Sequence, residues 1–280
     1  NLDKKFEFFQ SNHPLFNLFT SGTTGEPKGV QHSSGGYLLY SKYTCKKKFG
    51  LNINKKILTA SDAGWINGHT YALYGPLSIC ATTILIEQPS MLLDLSFLKK
   101  ILNYEKVDIL YLPVTLVRLI KALSRNIKFQ SKYLKTIGTM GEPLAKDVGK
   151  WFMKNFLKND SKQTIINTYF QTETGGIICS PSFSKNSSPG SVGLPINKYL
   201  GVFIDKNKHI KIKNHWPGCM QDVLNGPSYY KRYFDKSRSF QLYDYAKKAK
   251  EFWVFGRNDD VVNIRGHRIG SAEIESTILK

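Results

Sequence analysis

Short apolar runs alternate with longer amphipathic stretches along the first two thirds of the chain. Residues 81–87 form a continuous β-branched run, which is typical of a buried strand. Ser96 is a suitable N-cap for the amphipathic stretch that follows it. The pattern predicts strands at 15–19, 30–32, 56–59, 81–87, 108–112, 134–139 and 164–169, and helices at 36–49, 96–104, 114–123 and 145–157. Strands that alternate with helices at this spacing indicate an α/β fold with mostly parallel sheets flanked by helices.

The pattern changes after Ser180, where a loop rich in Ser and Pro begins. Two short apolar runs, at 202–204 and 210–212, flank Asp205-Lys206-Asn207-Lys208, which predicts a hairpin. Residues 252–255 predict a further strand. We therefore expect a small antiparallel, barrel-like β subdomain after the α/β part.

The two ends of the chain differ from those of a compact domain. A helix is predicted from Ala272, shortly before the last residue, Lys280, and position 1 is Asn rather than Met. A helix of this length is marginal without partners to pack against. We therefore expect the chain to be a fragment that continues at both ends.

The charge balance is strongly basic. The 280 residues carry 40 Lys and Arg against 21 Asp and Glu, a formal net charge of +19. Such a charge attracts anionic partners, including nucleic acid, acidic membranes and phosphorylated small molecules. The Lys46-Lys47-Lys48 run is short and no nucleic-acid motif accompanies it. The interpretation that we favour places most lysines on solvated faces, so that nucleic acid is not an expected partner.

Cysteine spacing and hydropathy narrow the class of protein further. The four cysteines, at positions 45, 80, 179 and 219, form no CxxC pair, which favours reduced thiols. No window reaches about 18 apolar residues, so no membrane span is expected, and the polar start carries no signal-peptide pattern. We expect a cytoplasmic protein without a membrane partner. The sequence does not indicate an oligomeric state.

A loop rich in Gly and Thr carries the strongest chemical signal. It reads Thr20-Ser21-Gly22-Thr23-Thr24-Gly25-Glu26-Pro27-Lys28-Gly29. Glycines let the backbone approach a ligand, successive N–H groups form an anion-binding nest, and Lys28 adds a point charge. Pro27 stands where the second Gly of a GxxxxGK[ST] loop would be. From composition alone, a glycine-rich hairpin turn remains an alternative.

This loop resembles the signature of the adenylate-forming enzymes, and further strings in the same order are similar to the acetyl-CoA synthetases. Each string has an ordinary structural alternative when it stands alone, but their joint order favours the resemblance, which runs from about Leu15 to the end of the chain. The strings are 32–40, 62–69 (Asp-Ala-Gly-Trp-Ile-Asn-Gly-His), Gly141-Glu142-Pro143, 169–176 (Tyr-Phe-Gln-Thr-Glu-Thr-Gly-Gly), Trp216-Pro217-Gly218, 256–260 and 266–276.

The resemblance implies an AMP-forming acyl-CoA ligase. In that chemistry a short carboxylic acid, acetate or propionate, reacts with ATP to give acyl-AMP, and CoA then takes the acyl group. The implied ligands are ATP, Mg²⁺ and CoA, so the expected partners are small molecules. The implied organisation is the α/β part of the adenylating domain at 1–180, its β-rich subdomain at 181–258, and a hinge with the start of a C-terminal domain at 259–280.

The resemblance also implies a role for particular residues. The catalytic set is Thr172 and Glu173 at the α-phosphate, with Glu173 also on Mg²⁺, and Arg257 at the ribose or α-phosphate. Asp259 corresponds to the hinge. The remaining nucleotide- and CoA-binding positions are Thr20, Ser21, Gly22, Thr23, Thr24, Gly25 and Lys28 for phosphates, Gly141, Glu142, Pro143, Asn167, Thr168, Tyr169, Phe170 and Gln171 for adenine, Asp244 for ribose, and Gly266 and Arg268 for the second half-reaction.

The acyl pocket departs from the family pattern. Its four wall positions, which the family fills with Val, Thr, Val and Trp, are here Ile66, Asn67, Met140 and Phe170. One methylene discriminates by about 1–3 kcal/mol, so these changes leave the choice between acetate and propionate open. A buried Asn67 amide requires a hydrogen-bond partner. Arg265 replaces a small Ser beside Gly266, which puts the CoA contact there in question.

Two functions remain open at this stage, and both bind nucleotide. One is the ligase, of which this chain is a part that lacks the C-terminal domain carrying the family's adenylation lysine. The alternative is a truncated or decayed homologue that binds nucleotide without full turnover. A basic nucleic-acid-binding protein is a third class, which the ordered motifs disfavour, and which strongly salt-dependent binding to polynucleotides would revive.

Overall fold

The computed structural model describes residues 7–20, 27–124, 128–158, 165–181, 187–224, 227–257, 261–264, 267–270 and 278. Its strands are β1 Pro14–Thr20, β2 Lys28–Ser33, β3 Lys56–Thr59, β4 Thr82–Ile84, β5 Ile109–Pro113, β6 Thr136–Met140, β7 Ile166–Asn167, β8 Cys179–Ser180, β9 Leu194–Pro195, β10 Val202–Ile204, β11 His209–Ile212, β12 Asp222–Leu224, β13 Phe240–Lys248, β14 Phe252–Arg257, β15 Val261–Ile264 and β16 His267–Gly270. Its α-helices are α1 Ser34–Phe49, α2 Gly75–Leu77, α3 Leu95–Tyr104, α4 Val114–Ser124, α5 Lys146–Phe156 and α6 Pro227–Arg232.

A five-stranded parallel sheet forms the centre of the α/β part, in the order β4-β3-β5-β6-β7. Successive residues of its strands enter different apolar clusters. In β5, Ile109 and Tyr111 pack in one cluster, and Leu110 and Leu112 pack in the other. Burial on both faces explains why these strands are continuous apolar runs, and it confirms the predicted parallel sheet flanked by helices.

Helices cover the two faces of this sheet. Apolar residues of α3, α4 and α5 pack in the cluster that contains Leu110, whereas those of α1 pack in the cluster that contains Tyr111. The predicted N-cap of α3 was wrong by two residues. Asp94, not Ser96, is the N-cap, because its carboxylate accepts hydrogen bonds from the N–H groups of Ser96 and Phe97.

Antiparallel sheets follow the α/β part, as the hairpin pattern predicts. Strands β10, β11, β13 and β14 form a four-stranded sheet in that order, and Asp205 lies in the turn between β10 and β11. Strand β12 returns to pair with β2, which also pairs with β1. Two-stranded pairs form between β8 and β9 and between β15 and β16. The division of the chain at 180 and 258 into subdomains stays a prediction.

Three elements differ from the sequence expectation. Strand β4 is shorter than the predicted run 81–87, and it lies at an edge of the sheet with Thr82 exposed, because no strand pairs beyond it among the described residues. Strand β7 contains two residues, since the chain beyond it leaves the sheet. Gly68–Tyr74 forms a π-helix, which apolar periodicity did not predict.

No helix of the described residues is long and apolar enough to span a membrane.

Two loops approach each other closely at Gly175 and Gly218. Gly175 has φ +67°, and a Cβ atom built on it would lie 2.2 Å from the Gly218 carbonyl oxygen. A Cβ atom on Gly218 would itself lie 2.3 Å from Cδ1 of Tyr40. Glycine at both positions therefore lets the loop of 172–177 lie against the loop of 216–220.

We expect Gly175→Ala to destabilise the chain more than Gly141→Ala. Both glycines have positive φ, but a Cβ atom on Gly141 meets nothing within 4 Å. The left-handed conformation costs a non-glycine residue about 1–2 kcal/mol, and the collision at Gly175 adds about 1–3 kcal/mol of strain. Urea unfolding of both variants measures the difference in free energy of unfolding. Equal losses in the two variants would contradict the close approach.

Candidate nucleotide site

A single turn at Thr172–Thr174 carries the predicted catalytic residues. The N–H of Gln171 donates to Oγ1 of Thr174 at 2.9 Å, and Gly175, in the left-handed conformation, ends the turn. The side chains of Thr172, Glu173 and Thr174 are all buried. Glycine at the end of the turn is required because its φ is positive.

The three carbonyl groups of this turn each accept a hydrogen bond from β2 or from the loop of 216–220. His32 Nε2 on β2 donates to the Thr172 oxygen at 2.8 Å. The N–H of Met220 donates to the Glu173 oxygen at 2.9 Å, and Trp216 Nε1 donates to the Thr174 oxygen at 3.0 Å. Burial lowers the pKa of His32 to about 4, so its ring is neutral at pH 7 and a single nitrogen carries the donated proton.

The residues after the turn are held by side chains of α1 and the π-helix. Thr70 Oγ1 donates to the Gly175 oxygen at 3.1 Å, and the Tyr40 hydroxyl donates to the Ile177 oxygen at 2.8 Å. The Tyr71 hydroxyl accepts from the Ile177 N–H at 2.7 Å. The structure thereby brings the strings at 32–40, 62–69, 169–176 and 216–218 into one region.

The Glu173 carboxylate makes two contacts through the same oxygen. Lys28 Nζ lies 2.9 Å from Oε1, and the Tyr233 hydroxyl donates to Oε1 at 2.6 Å. Lys28 also contacts the Tyr233 hydroxyl and lies 4.9 Å from the centre of its ring. Burial acts to raise the pKa of Glu173, but the Lys28 charge and the hydrogen bonds from Tyr233 and Lys28 outweigh it and hold the pKa below its ordinary value.

The predicted phosphate loop begins and ends beside this carboxylate. Thr20, the last residue of β1, pairs with Lys28, the first residue of β2. The antiparallel register therefore brings the two ends of the loop together. Thr20 Oγ1 is buried and has no hydrogen-bond partner among the described residues. The loop positions Ser21, Gly22, Thr23, Thr24 and Gly25 lie outside the described residues.

Asp244 is a second buried carboxylate near the turn. Strand β13 alternates buried and half-buried positions, and Asp244 takes a buried position between Leu242 and Ala246. Tyr169 donates to Oδ2 at 2.5 Å and Gln171 Nε2 donates to the same oxygen at 2.7 Å. Burial nevertheless raises the pKa of Asp244 to about 6.

The backbone around Asp244 is irregular. Tyr243 has φ +57°, which is uncommon for a residue with a bulky side chain, and the pairing with β14 shifts between Tyr245 and Ala246. Arg257, a predicted catalytic residue, lies opposite Asp244 in β14, where its positive charge lowers the pKa of that carboxyl against the effect of burial. Such irregularities are concentrated at functional sites.

The predicted adenine-contact residues lie at the carboxyl ends of two neighbouring parallel strands. Gly141 and Glu142, exposed, and Pro143, half-buried, follow β6. Asn167 and Thr168 lie at the end of β7, where their side chains bind within the protein: Asn167 contacts Thr139 Oγ1 and the Ser191 oxygen, and Thr168 donates to the Thr139 oxygen. Ligands of parallel α/β sheets bind at this edge.

The four predicted acyl-pocket residues border connected apolar clusters. Ile66 is buried in a cluster with Leu18, and Phe170 packs against that cluster. Met140 is buried in the cluster that contains Tyr71, against which Phe170 also packs, and the Phe170 and Tyr71 rings meet edge to face at 5.4 Å. Asn67 is buried, and neither polar atom of its amide has a hydrogen-bond partner among the described residues.

Some predicted residues cannot be compared with the structure. Asp259 and Gly266 lie outside the described residues, and Arg268 lies in strand β16. Sequence reasoning assigned no role to Tyr233, which contacts Glu173, or to His32 and Trp216, which fix the turn. The strings that carried the resemblance contain His32 and Trp216, whereas Tyr233 lies in a Tyr-rich stretch without a motif.

Magnesium fits this site only together with a ligand that supplies more oxygens. Among the described residues no group of three or more His, Cys, Asp or Glu side chains gathers to bind a metal. Mg²⁺ commonly takes one or two carboxylates and completes its shell with water and phosphate oxygens. The buried carboxylate of Glu173 would therefore suit a Mg²⁺ that a triphosphate also binds.

Comparisons with known proteins identify the family to which the chain is similar. The family model described as AMP-binding enzyme matches residues 3–220. An acetyl-coenzyme A synthetase of Herminiimonas arsenicoxydans is 37% identical, over 96% of this chain and 44% of its own length. Those of Pasteurella multocida and Helicobacter pylori are each 34% identical, over 98% of this chain and 44% of their own lengths. The chain therefore spans less than half of these relatives.

A solved structure supports the fold independently. An anthranilate CoA ligase in complex with anthranoyl-AMP superposes with a TM-score of 0.79 at 19% identity, over 96% of this chain and 52% of that one. This match confirms the α/β architecture with its antiparallel sheets. Because the family model covers most of the chain, the chain belongs to the AMP-binding enzyme family.

Proposed function

We propose that the protein activates a short carboxylic acid, acetate or propionate, with ATP and passes the acyl group to CoA. The observation that carries this proposal is the buried Glu173 carboxylate, paired with Lys28 at 2.9 Å beside the two ends of the phosphate loop. The similarity to acetyl-CoA synthetases supports the choice of reaction and of acid. The proposal concerns the whole protein, because the relatives are more than twice as long as this chain.

We assign each part of ATP to one of the residue groups that the sequence predicted. We assign the β- and γ-phosphates to Lys28 and the loop before it, and the α-phosphate to Thr172. The Asp244 carboxylate accepts the ribose hydroxyls, and the adenine lies against 141–143 and 167–171. Lys28 compensates the Glu173 charge in the chain without ligand. Glu173 would hold Mg²⁺ together with the triphosphate, and the charge of that ion would compensate the carboxylate, so that Lys28 could contact phosphate oxygens.

The chemistry requires no covalent bond to the protein. A carboxylate oxygen of the acid attacks the α-phosphorus, and the bond from that phosphorus to the bridging oxygen of pyrophosphate breaks. In the second step the CoA thiol loses its proton and its sulfur attacks the acyl carbon, and AMP leaves with the bonding electron pair. The residues of this chain act by positioning the reactants and by neutralising charge.

Burial of Asp244 is easier to explain by a ligand than by stability. An ionised carboxylate with a raised pKa destabilises the folded chain at neutral pH. Ribose hydroxyls can donate hydrogen bonds to that carboxylate and so offset the cost of its burial. The proposed nucleotide therefore gives a reason for a charge that the fold alone does not require.

We expect the free energy of unfolding of the unsubstituted chain to fall relative to that of Asp244→Asn as the pH rises from about 4 to 6. His32, whose pKa is lowered to about 4, acts in the opposite direction, but it does so in both proteins. The pKa of Asp244 is about 6 in the folded chain against an ordinary value of 3.8. In this window the folded state keeps a proton that the unfolded state has released, which amounts to about 3 kcal/mol. Urea unfolding of both proteins between pH 4 and 8 measures it. Parallel pH profiles of the two proteins would contradict the raised pKa.

We expect Glu173→Gln to abolish acetate-dependent ATP–pyrophosphate exchange in the intact protein. The amide has the same shape but carries no charge, so it binds Mg²⁺ and the triphosphate poorly, and the rate should fall by at least about a hundredfold. The matched control is Glu105→Gln, since Glu105 lies at the surface in a loose ion pair with Lys56 at 3.9 Å. Exchange should be unchanged in this control.

The same assay separates the proposal from its alternative. Exchange that survives in Glu173→Gln would remove Glu173 from the magnesium site. If calorimetry shows that Mg·ATP binds but no acid of two to four carbons supports exchange, the protein is a nucleotide-binding homologue without turnover. Failure of Mg·ATP to bind would contradict both functions.

We expect Phe170→Trp to shift the acid preference towards acetate. The larger ring fills space beside Tyr71 and Ile66, so that propionate loses more than acetate does. Because one methylene is worth about 1–3 kcal/mol, kcat/KM for propionate relative to acetate should fall by about tenfold or more. Steady-state assays with both acids measure the ratio. An unchanged ratio would place Phe170 outside the acyl pocket.

A further inference from the structure

Asn67 is buried without the hydrogen bonds that its amide requires. The residue is 5% exposed, and both Oδ1 and Nδ2 lack a partner among the described residues. Asn167 is a useful comparison because it is also buried, yet its Oδ1 accepts from Thr139 Oγ1 at 3.1 Å and its Nδ2 donates to the Ser191 oxygen at 2.9 Å. Within the part of the chain that the structure describes, both polar atoms of Asn167 have a partner and neither polar atom of Asn67 has one.

An unpaired buried amide needs a reason in the function of the protein. Folded chains pair the large majority of their buried polar atoms, and a buried donor or acceptor without a partner destabilises the fold. Asn67 immediately follows Ile66, which packs in the cluster that Phe170 borders. It also immediately precedes the π-helix Gly68–Tyr74, and short π-helical segments are frequent at functional sites. A ligand in the acyl pocket is the partner that this position offers.

The two atoms of the amide define what the ligand must present. Nδ2 requires an acceptor and Oδ1 requires a donor, and the two atoms are adjacent in the side chain. An unsubstituted acid such as acetate or propionate is ionised at neutral pH and offers acceptors alone. A 2-hydroxy acid offers a carboxylate oxygen as acceptor and a hydroxyl as donor on neighbouring carbon atoms.

We infer that Asn67 selects a short 2-hydroxy acid over an unsubstituted acid of the same size. This inference rests on the proposed activation of a short carboxylic acid by ATP, and it replaces acetate or propionate by a 2-hydroxy acid as the preferred substrate of the same site. The hydroxyl takes no part in bond making: the carboxylate oxygen still attacks the α-phosphorus, and pyrophosphate still leaves. Ile66, Met140 and Phe170 limit the length of the acid, and the Asn67 amide forms a hydrogen bond with its 2-hydroxyl group.

The size of the effect distinguishes a hydrogen-bonding site from an apolar one. A pocket that discriminates by a methylene alone separates acids by about 10- to 200-fold. A site built to hydrogen-bond a hydroxyl rejects the analogue without it by a larger factor, because its own polar atoms stay unpaired. Glycolate and propionate form a matched pair, since a hydroxyl in one replaces a methyl of similar size in the other.

The test uses stable analogues of the acyl-adenylate. Glycolyl- and propionyl-sulfamoyl adenosine carry the same nucleoside and differ only in the hydroxyl and the methyl. We expect calorimetry on the intact protein to give a Kd for the glycolyl compound more than about 200-fold lower than for the propionyl compound. A smaller ratio, equal affinities, or tighter binding of the propionyl compound would overturn the inference and leave the proposed activation of a short acid standing.

Two variants connect the preference to the amide. Asn67→Leu keeps a similar volume without polar atoms, so it should reverse the preference towards the propionyl compound and raise the Tm of the protein without ligand. Ile66→Val is the control, because it changes the apolar wall and should shift both affinities together while their ratio stays the same. An unchanged ratio in Asn67→Leu would overturn the inference.

The outcomes also separate this inference from the function on which it rests. If neither analogue nor Mg·ATP binds, the proposed function fails and the inference fails with it. If Asn67→Leu does not fold, as judged by circular dichroism, the comparison of the two analogues on the unsubstituted protein still decides. The Tm of a folded Asn67→Leu is a second readout, because an amide that is already paired would lose stability on replacement.

Discussion

The structure depends on one short turn, Thr172–Thr174, whose carbonyl groups accept hydrogen bonds from other segments of the chain. His32, Met220 and Trp216 donate to the carbonyl oxygens of Thr172, Glu173 and Thr174, and they come from β2 and the loop before β12. Buried carbonyl groups require such partners. Because the partners belong to distant parts of the sequence, the turn forms only when the parallel sheet, the antiparallel sheet and α1 have come together.

Two carboxylates beside this turn, Glu173 and Asp244, have pKa values shifted in opposite directions. Glu173 pairs with Lys28, and its pKa is below the ordinary value, whereas burial raises the pKa of Asp244 although Tyr169 and Gln171 donate to it. Gln171 precedes Thr172, so the same segment orients both groups. Lys28 compensates the charge of Glu173, whereas no lysine pairs with Asp244 among the described residues. This arrangement suits the proposed binding of a highly charged nucleotide.

Local patterns predicted the elements whose residues determine their own conformation. The strand 56–59 follows from its short apolar run, and the helix predicted at 36–49 lies within α1, Ser34–Phe49. The π-helix Gly68–Tyr74 could not be predicted, because Thr70 and Tyr71 stabilise it by bonds to the distant residues Gly175 and Ile177. The role of Tyr233 could not be predicted either, because its hydrogen bond to Glu173 joins residues that are distant in the sequence and exists only in the folded chain.

The departures from the family pattern lie in side chains, whereas the residues that hold the turn act on its backbone. Ile66, Met140 and Phe170 border apolar clusters, and Asn67 shares their region. His32 and Trp216, by contrast, bind carbonyl oxygens, whose positions do not depend on the side chains of the acyl pocket. A backbone held in this way tolerates new side chains beside it. In the proposed function, selection of the acid can therefore change while the nucleotide keeps the same contacts, and the proposed acyl pocket is the part of the site that is free to diverge.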